Sequence, residues 1–317
     1  MNLPAQRPAR GTESSKPGLK GKTVTVVICT RNRPALLHKC LSAVAKLVPA
    51  PNLVLIVDNS EGNSETRKVA NDYGARYVIE PVIGLSRARN RGLAECNSDV
   101  IAFLDDDVTP APDWLGLLMA PFTNELTGAS AGRVITPDLR CSETNHQASR
   151  TLTNQDPHWF EIATFGGLGL GANMALRKAA CPAGMFFDER LGRGAPFEIG
   201  EEGYAFAWLL SRGYRVVNIP SAVVNHPPLT RTAIQREARN SFTYWLLLFS
   251  EFPEQRKSLI RFIIRRLRRK TLEWPREPQE PGEIVTSGWR VLLKAGFEGL
   301  WLFLRTPSPK KLQRRSD

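Results

Sequence analysis

The feature that most constrains this chain is a repeated alternation. Val24–Cys29 (VTVVIC), Leu53–Val57 (LVLIV) and Val100–Leu104 (VIAFL) are unbroken apolar runs rich in β-branched residues. Runs of that kind read as strands covered on both faces. Ala75–Ile79 supplies a further strand. Between them lie helical periods: Ala35–Leu47 after Pro34, a segment from Ser64 to about Tyr73, and Leu85–Glu95. Pro34 suits the first position of a helix, and Ser64 and Ser86 are candidate caps. Short strands alternating with helices predict βαβ units, hence an α/β fold with a Rossmann-like, mostly parallel sheet. A last unit follows later, with Glu201–Ser211 as helix, Gly213 as its stop and Tyr214–Ile219 as strand.

Parallel sheets bind ligands at the carboxyl ends of their strands. Three polar clusters stand at those ends: Thr30-Arg31-Asn32-Arg33, Asp58-Asn59-Ser60 and Asp105-Asp106-Asp107. The topology therefore predicts that they share one crevice.

Charge divides the chain into three parts. The net charge of +12 splits into +4 over residues 1–22, −2 over 23–226 and +10 over 227–317. The first part, rich in Pro, Gly, Ser and Lys, reads as a disordered basic arm. Residues 23–228 are expected to form the α/β domain, and residues 229–317 a basic helical region. Five scattered cysteines, with no CxxC pair, argue against a zinc site or a disulfide framework and favour a reducing compartment. No signal-like or spanning apolar stretch occurs; the longest run, Phe242–Phe249, is too short. These features lead us to expect a cytoplasmic protein.

Four motifs bear on chemistry. Three consecutive carboxylates in FLDDDVTPAPDW repel one another, so a divalent cation or a hydrogen-bond network must offset them; a solvated acidic turn is the plainer reading. Alternation along a strand end lets Asp105 and Asp107 face one side and Asp106 the other. GLSRARNRGL sets Arg87, Arg89 and Arg91 around a helix N-terminus, which is either an anion site or a solvated basic face. Glu201-Glu202 opens a helix, where carboxylates also sit for purely electrostatic reasons. Gly167–Ala172 satisfies G-x-G-x-x-A, but the preceding EIATF is a poor strand, so a close backbone approach to a ligand or plain loop flexibility explains it better than a dinucleotide site. His226 follows the last strand, where a sheet would present it to the crevice. No G-x-S-x-G elbow and no P-loop occur.

In order, VVICTRNRP, VDNS, GLSRARNRG, FLDDDVTPAPDW, GANMALRK, FDERLGRG, GEEGYAFAWLLSRGYRV and His226 resemble the family 2 glycosyltransferases over about residues 23–226. That resemblance implies the GT-A fold and inverting sugar transfer from a nucleotide-diphosphate sugar with Mg²⁺ or Mn²⁺. By position, Asp58 resembles the residue that reads the nucleobase edge, and Thr30 and Arg31 would line the nucleotide pocket. Arg89 resembles the arginine near the nucleotide. Asp105–Asp107 resembles the DXD element, with Asp107 as metal ligand and Asp106 nearer the ribose. His226 resembles a further contact to metal or diphosphate. Glu202 matches the family's base, although the family has Glu-Asp where this chain has Glu201-Glu202. The acceptor would be a glycan, polysaccharide or glycolipid, with its choice set within residues 130–200. The alternative is a non-catalytic module binding a sugar nucleotide or a nucleic acid.

Glu254–Lys270 places Leu259, Ile260, Ile263, Ile264 and Leu267 on one helical face among arginines, and residues 288–305 are apolar with Trp at both ends. Such helices suit an anionic membrane surface. Packing on the domain, partner binding and nucleic acid compete with that reading, the last without any accompanying motif. A peripheral position at the inner face of a membrane would also fit a lipid-linked acceptor.

Overall fold

The computed structural model describes residues 21–137, 148–182, 186–228, 234–272 and 288–307. The expected basic arm therefore lies outside the described residues apart from its last two positions, as do Cys141 and His146 in the expected loop. The first half alternates as anticipated: β1 Val24–Thr30, α1 Pro34–Val44, β2 Leu53–Asp58, α2 Ser64–Asp72, β3 Arg76–Ile79, α3 Leu85–Glu95 and β4 Val100–Asp105. Then come β5 Thr109–Pro110, α4 Trp114–Met119, β6 Thr127–Ile135, β7 Arg150–Leu152, α5 Trp159–Thr164 and β8 Asn173–Arg177. The chain continues through α6 Glu201–Ser211, β9 Arg215–Asn225, α7 Ile234–Glu251, α8 Arg256–Leu272 and α9 Gly288–Arg305.

One sheet runs β3-β2-β1-β4-β8-β6-β9-β5, with β7 on β9. The β3-β2-β1-β4 half is parallel, and so is β6 against β9; β8 enters antiparallel between β4 and β6. Most of the registered pairing is parallel, as expected. β8 was hidden in the glycine-rich GANMALRK stretch. Its Ala, Met and Leu, and the Gly, Ala and Ser of β6, lack the β-branched signature, yet β8 is buried throughout. Small side chains are what a strand needs where helices press on both faces.

Apolar side chains of the sheet face two cores. On one side β1, β2 and β4 pack on α1 and α4 through Val26, Ile28, Leu37, Leu41, Trp114 and Leu118. On the other, Val27, Leu55, Phe103 and Met174 meet α3, α6 and α7. Each fully buried Leu or Ile contributes about 1.5–3 kcal/mol relative to exposure. Gly92 lets α3 lie close on this face: a Cβ there would stand 2.7 Å from a Val27 methyl. The caps differ from expectation. Asn63, not Ser64, caps α2 by accepting from Thr66 N, and α3 begins after Gly84 while the Ser86 hydroxyl donates to Leu191 O (2.8 Å).

The C-terminal region folds onto the domain. Tyr244, Trp245, Leu247 and Leu248 of α7 and Leu259 of α8 are buried in the second core, and Phe262 stacks on Phe165 at 3.8 Å. The phenol of Tyr244 lies under the first turn of α6. Packing thus accounts for the inner faces of these helices, one of the readings their sequence left open.

Candidate active site

The carboxyl ends of β1, β2 and β4 meet as the topology requires. Registers Thr30↔Asp58 and Cys29↔Asp105 set the three polar clusters side by side. β9 completes the rim. Its last residue, Asn225, pairs with Thr109 of β5, and the His226 N–H donates to Ile135 O (2.8 Å). That short ladder fixes His226 beside the aspartates although more than a hundred residues separate them.

The three aspartates have three different environments. Asp106 is fully buried, accepts from the Thr30 hydroxyl (2.6 Å) and pairs with Arg33 (2.6 Å). Burial pushes its carboxyl up to about 6, against the lowering effects of Arg33 and Thr30. Asp105 faces Arg89 at 3.4 Å. Asp107 binds Arg33 through Oδ2 (3.1 Å), while its buried Oδ1 has no hydrogen-bond donor and lies 3.4 Å from His226 Nε2. The repulsion expected in the triplet is thus offset by two arginines, of which Arg33 carried no assigned role in the sequence.

His226 is anchored through one ring nitrogen and faces the aspartates with the other. Its Nδ1 lies 2.6 Å from Pro227 O, which can only accept, so Nδ1 donates there. Its Nε2 lies 3.4 Å from Asp107 Oδ1, and imidazole and carboxylate at that spacing can be bridged by one cation. Asp105, Asp107 and His226 each bring a ligand atom within 4.8 Å of the others. Carboxylate oxygens with one imidazole suit a hard divalent ion such as Mg²⁺ or Mn²⁺. The residues fit that group.

Arg89 is only 2% exposed. Its guanidinium donates to Glu201 Oε1 (2.9 Å) and reaches Asp105, so it ties α3 to α6 and β4. Gly171 makes room for it: a Cβ there would lie 2.7 Å from a guanidinium nitrogen. Within the glycine-rich stretch, Gly171 thus packs against a protein side chain, while Gly167 and Gly169 lie against Ile162 and Ala131. Arg87 and Arg91 are engaged elsewhere, with Glu189 (2.7 Å) and Glu95 (2.9 Å). Glu201 is buried and spent on Arg89. Glu202, half-buried, has its carboxyl raised well above the usual range by burial first and then by the charge of Glu201, with Arg89 opposing. The Tyr244 hydroxyl, buried beneath this turn, has no hydrogen-bond partner among the described residues.

A cleft of about 260 Å³ opens in front of these groups. Thr30, Arg31, Asn59, Ile83, Asp105 and Arg193 are among its lining residues. Arg31 and Arg193 are exposed and, among the described residues, pair with no carboxylate. Arg193 was not singled out in the sequence, because nothing in LGRG distinguishes a ligand-facing arginine from a surface one. Asp58 is wholly buried and accepts from Ser60 Oγ (2.7 Å), Asn63 N (2.9 Å) and Tyr77 Oη (2.5 Å). It ends β2 beside Thr30 with both oxygens already engaged, and it is not among the residues that line the cleft. Asn59 instead reaches the cleft rim, donating to Glu80 O and Val82 O and accepting from Gly84 N (2.8 Å).

The glycosyl transferase family 2 model matches residues 25–183, half of the chain. The succinoglycan biosynthesis protein ExoM of Rhizobium meliloti is 31% identical over 235 residues, covering 69% of this chain and 72% of that protein. The chain belongs to glycosyl transferase family 2. An N-acetylglucosaminyltransferase of Sinorhizobium fredii is 23% identical over 240 residues, and the match takes in 70% of this chain but only 56% of that relative's length. Two solved structures share the GT-A fold. A mannosyltransferase from Pyrobaculum calidifontis, in complex with GDP-Man and Mn²⁺, gives a TM-score of 0.56 at 14% identity, covering 95% of this chain and 81% of that one. S. aureus TarS, residues 1–349, gives 0.58 at 13% identity, covering 89% of each. Among the described residues no helix is long and apolar enough to cross a membrane.

Proposed function

We propose that this chain transfers a sugar from a nucleotide-diphosphate sugar to a hydroxyl of a glycan or lipid-linked acceptor, with inversion. The observation that carries the reading is the pairing of two kinds of acceptor at one crevice. Asp105, Asp107 and His226 bring ligand atoms within 4.8 Å of one another, and Glu202 opens α6 beside Glu201, which takes the Arg89 guanidinium. Sugar transfer needs both, one group to hold a cation and one to take a proton.

In this scheme Asp105, Asp107 and His226 hold Mg²⁺ or Mn²⁺. A divalent cation bound there neutralises the diphosphate as it leaves. Arg31 and Arg193 offer unpaired guanidinium groups to the same phosphates. Thr30, Asp58 and Asp106 shape the nucleotide end, with Asp58 bracing the loop that Tyr77 and Asn63 define. Arg89 acts through Asp105 and Glu201 and holds both in place. Glu202 accepts the proton of the acceptor hydroxyl as that oxygen attacks the anomeric carbon from the face opposite the diphosphate. One displacement then inverts the configuration, and the nucleoside diphosphate carries away the electron pair of the broken bond. The C-terminal basic helices would keep such an enzyme at the inner, anionic face of a membrane, where a lipid-linked acceptor is found.

The test is thermal stabilisation of the purified protein by UDP-, GDP- and dTDP-sugars with and without Mn²⁺. A Mn²⁺-dependent shift with one nucleotide supports the reading and names the donor class. A folded protein that shifts with none of them would sink it.

A further inference from the structure

Helix α9 has two apolar faces. Its inner face, with Ala295, Gly299 and Phe303, lies on α7 and the core: Gly299 would bring a Cβ within 3.0 Å of Phe242, and the Phe303 ring lies 6.2 Å from that of Phe197. Its outer face is bare. Leu293, Phe297, Leu300, Trp301 and Leu304 follow an i, i+4, i+7, i+8, i+11 spacing, and Phe297 and Leu304 are each 73% exposed. Exposed apolar stripes of that size on a folded protein mark an interaction surface.

Charge identifies the occupant. Lys294 and Arg305 edge the stripe, with Arg305 lying 4.2 Å over the Trp301 ring and Lys294 reaching Glu298 at 3.9 Å. On α8, Ile260 and Ile264 are exposed among Arg256, Lys257, Arg261 and Arg265. The sequence after α9 adds Lys310, Lys311, Arg314 and Arg315. A second copy would bring like charges together, and nucleic acid would leave the Leu and Phe side chains in water. An anionic bilayer satisfies the stripe and the cations at its edge at once: the apolar side chains enter the acyl boundary while Lys294 and Arg305 meet the headgroups. We infer that the outer face of α9 is the surface by which this protein lies on an anionic lipid bilayer, in the plane of the interface. This rests on the peripheral location proposed above and specifies the residues responsible.

The experiment is flotation of the full chain with vesicles of phosphatidylcholine alone or with about one third phosphatidylglycerol. Wild-type protein is expected to float with the anionic vesicles, less so at high salt, and to leave the neutral ones. Phe297→Glu with Leu304→Glu should cut anionic binding by about tenfold or more, with melting temperature and nucleotide-sugar stabilisation unchanged. No flotation of wild type would overturn the peripheral location itself. Flotation that survives the double variant but is lost in Arg261→Glu with Arg265→Glu would overturn only the role of α9. A wild-type dimer in light scattering that the α9 variant dissolves would assign the stripe to self-association and overturn the inference.

Discussion

The two glutamates that open α6 are neighbours with opposite fates. Glu201 is buried against Arg89, and Glu202 is left with a raised carboxyl. A proton acceptor must be ionised, so kcat/KM should climb with pH through the neutral range, not level off where an ordinary carboxylate would. Glu202→Gln should lower kcat by at least about a hundredfold and erase that limb; an unchanged profile in this variant would remove Glu202 from the role. Stability should move the other way. A carboxyl raised in the folded state costs nothing below its unfolded pKa and destabilises progressively above it. Glu202→Gln should therefore melt higher than wild type at pH 8 and equally at pH 4, by calorimetry. Asp107→Ala should abolish Mn²⁺-dependent stabilisation and most turnover, as the loss of a ligand predicts, while His226→Ala retains partial metal binding; equal metal titrations in wild type and Asp107→Ala would argue against the cation site. At this scale the sequence was informative about residue type and weaker about partnership. The triplet and the Glu-Glu pair stood out as chemistry. That Arg89 would be consumed by Asp105 and Glu201, and that Arg193 would join Arg31 at the cleft, depends on how distant segments pack, which no local pattern encodes.

The elements divide in the same way. β1, β2 and β4 announced themselves because a strand covered on both faces leaves only β-branched and aliphatic residues in the sequence. β8 and β6 did not: β6 is mostly Gly, Ala and Ser, and β8 mixes Asn173 and Arg177 with unbranched Met174 and Leu176, so neither carries the β-branched signal. One polar staple holds this less legible half. Trp114 Nε1 donates to Asn173 Oδ1 (2.8 Å), and Asn173 Nδ2 donates to Ala222 O (2.9 Å), joining α4, β8 and β9 within the core. Asn173→Ala strands a buried indole N–H and a carbonyl, so it should cost about 2–4 kcal/mol in denaturant unfolding. A loss below about half a kcal/mol would mean that the staple is replaced by other partners. Gly171→Ala acts on the site instead of the core: by pressing on Arg89 it should lower kcat more than it raises KM for the donor, seen in steady-state kinetics.

Across the whole molecule, many of the basic residues that the sequence concentrates after residue 226 lie on α7, α8 and α9, which pack on the domain. Residues on the inner side of α7 close the core beneath α6, so this basic region also supports the proposed base. The sequence left packing and membrane contact as rivals because a helix that packs on one face and meets lipid on the other carries both signals. The two apolar faces of α9 have a practical consequence at the bench. Trimming this helix to obtain a better-behaved protein would uncover Phe197 and Phe242 in place of the stripe it removes, exchanging one sticky surface for another. Polar substitutions confined to Phe297 and Leu304 are the gentler route to a monodisperse sample.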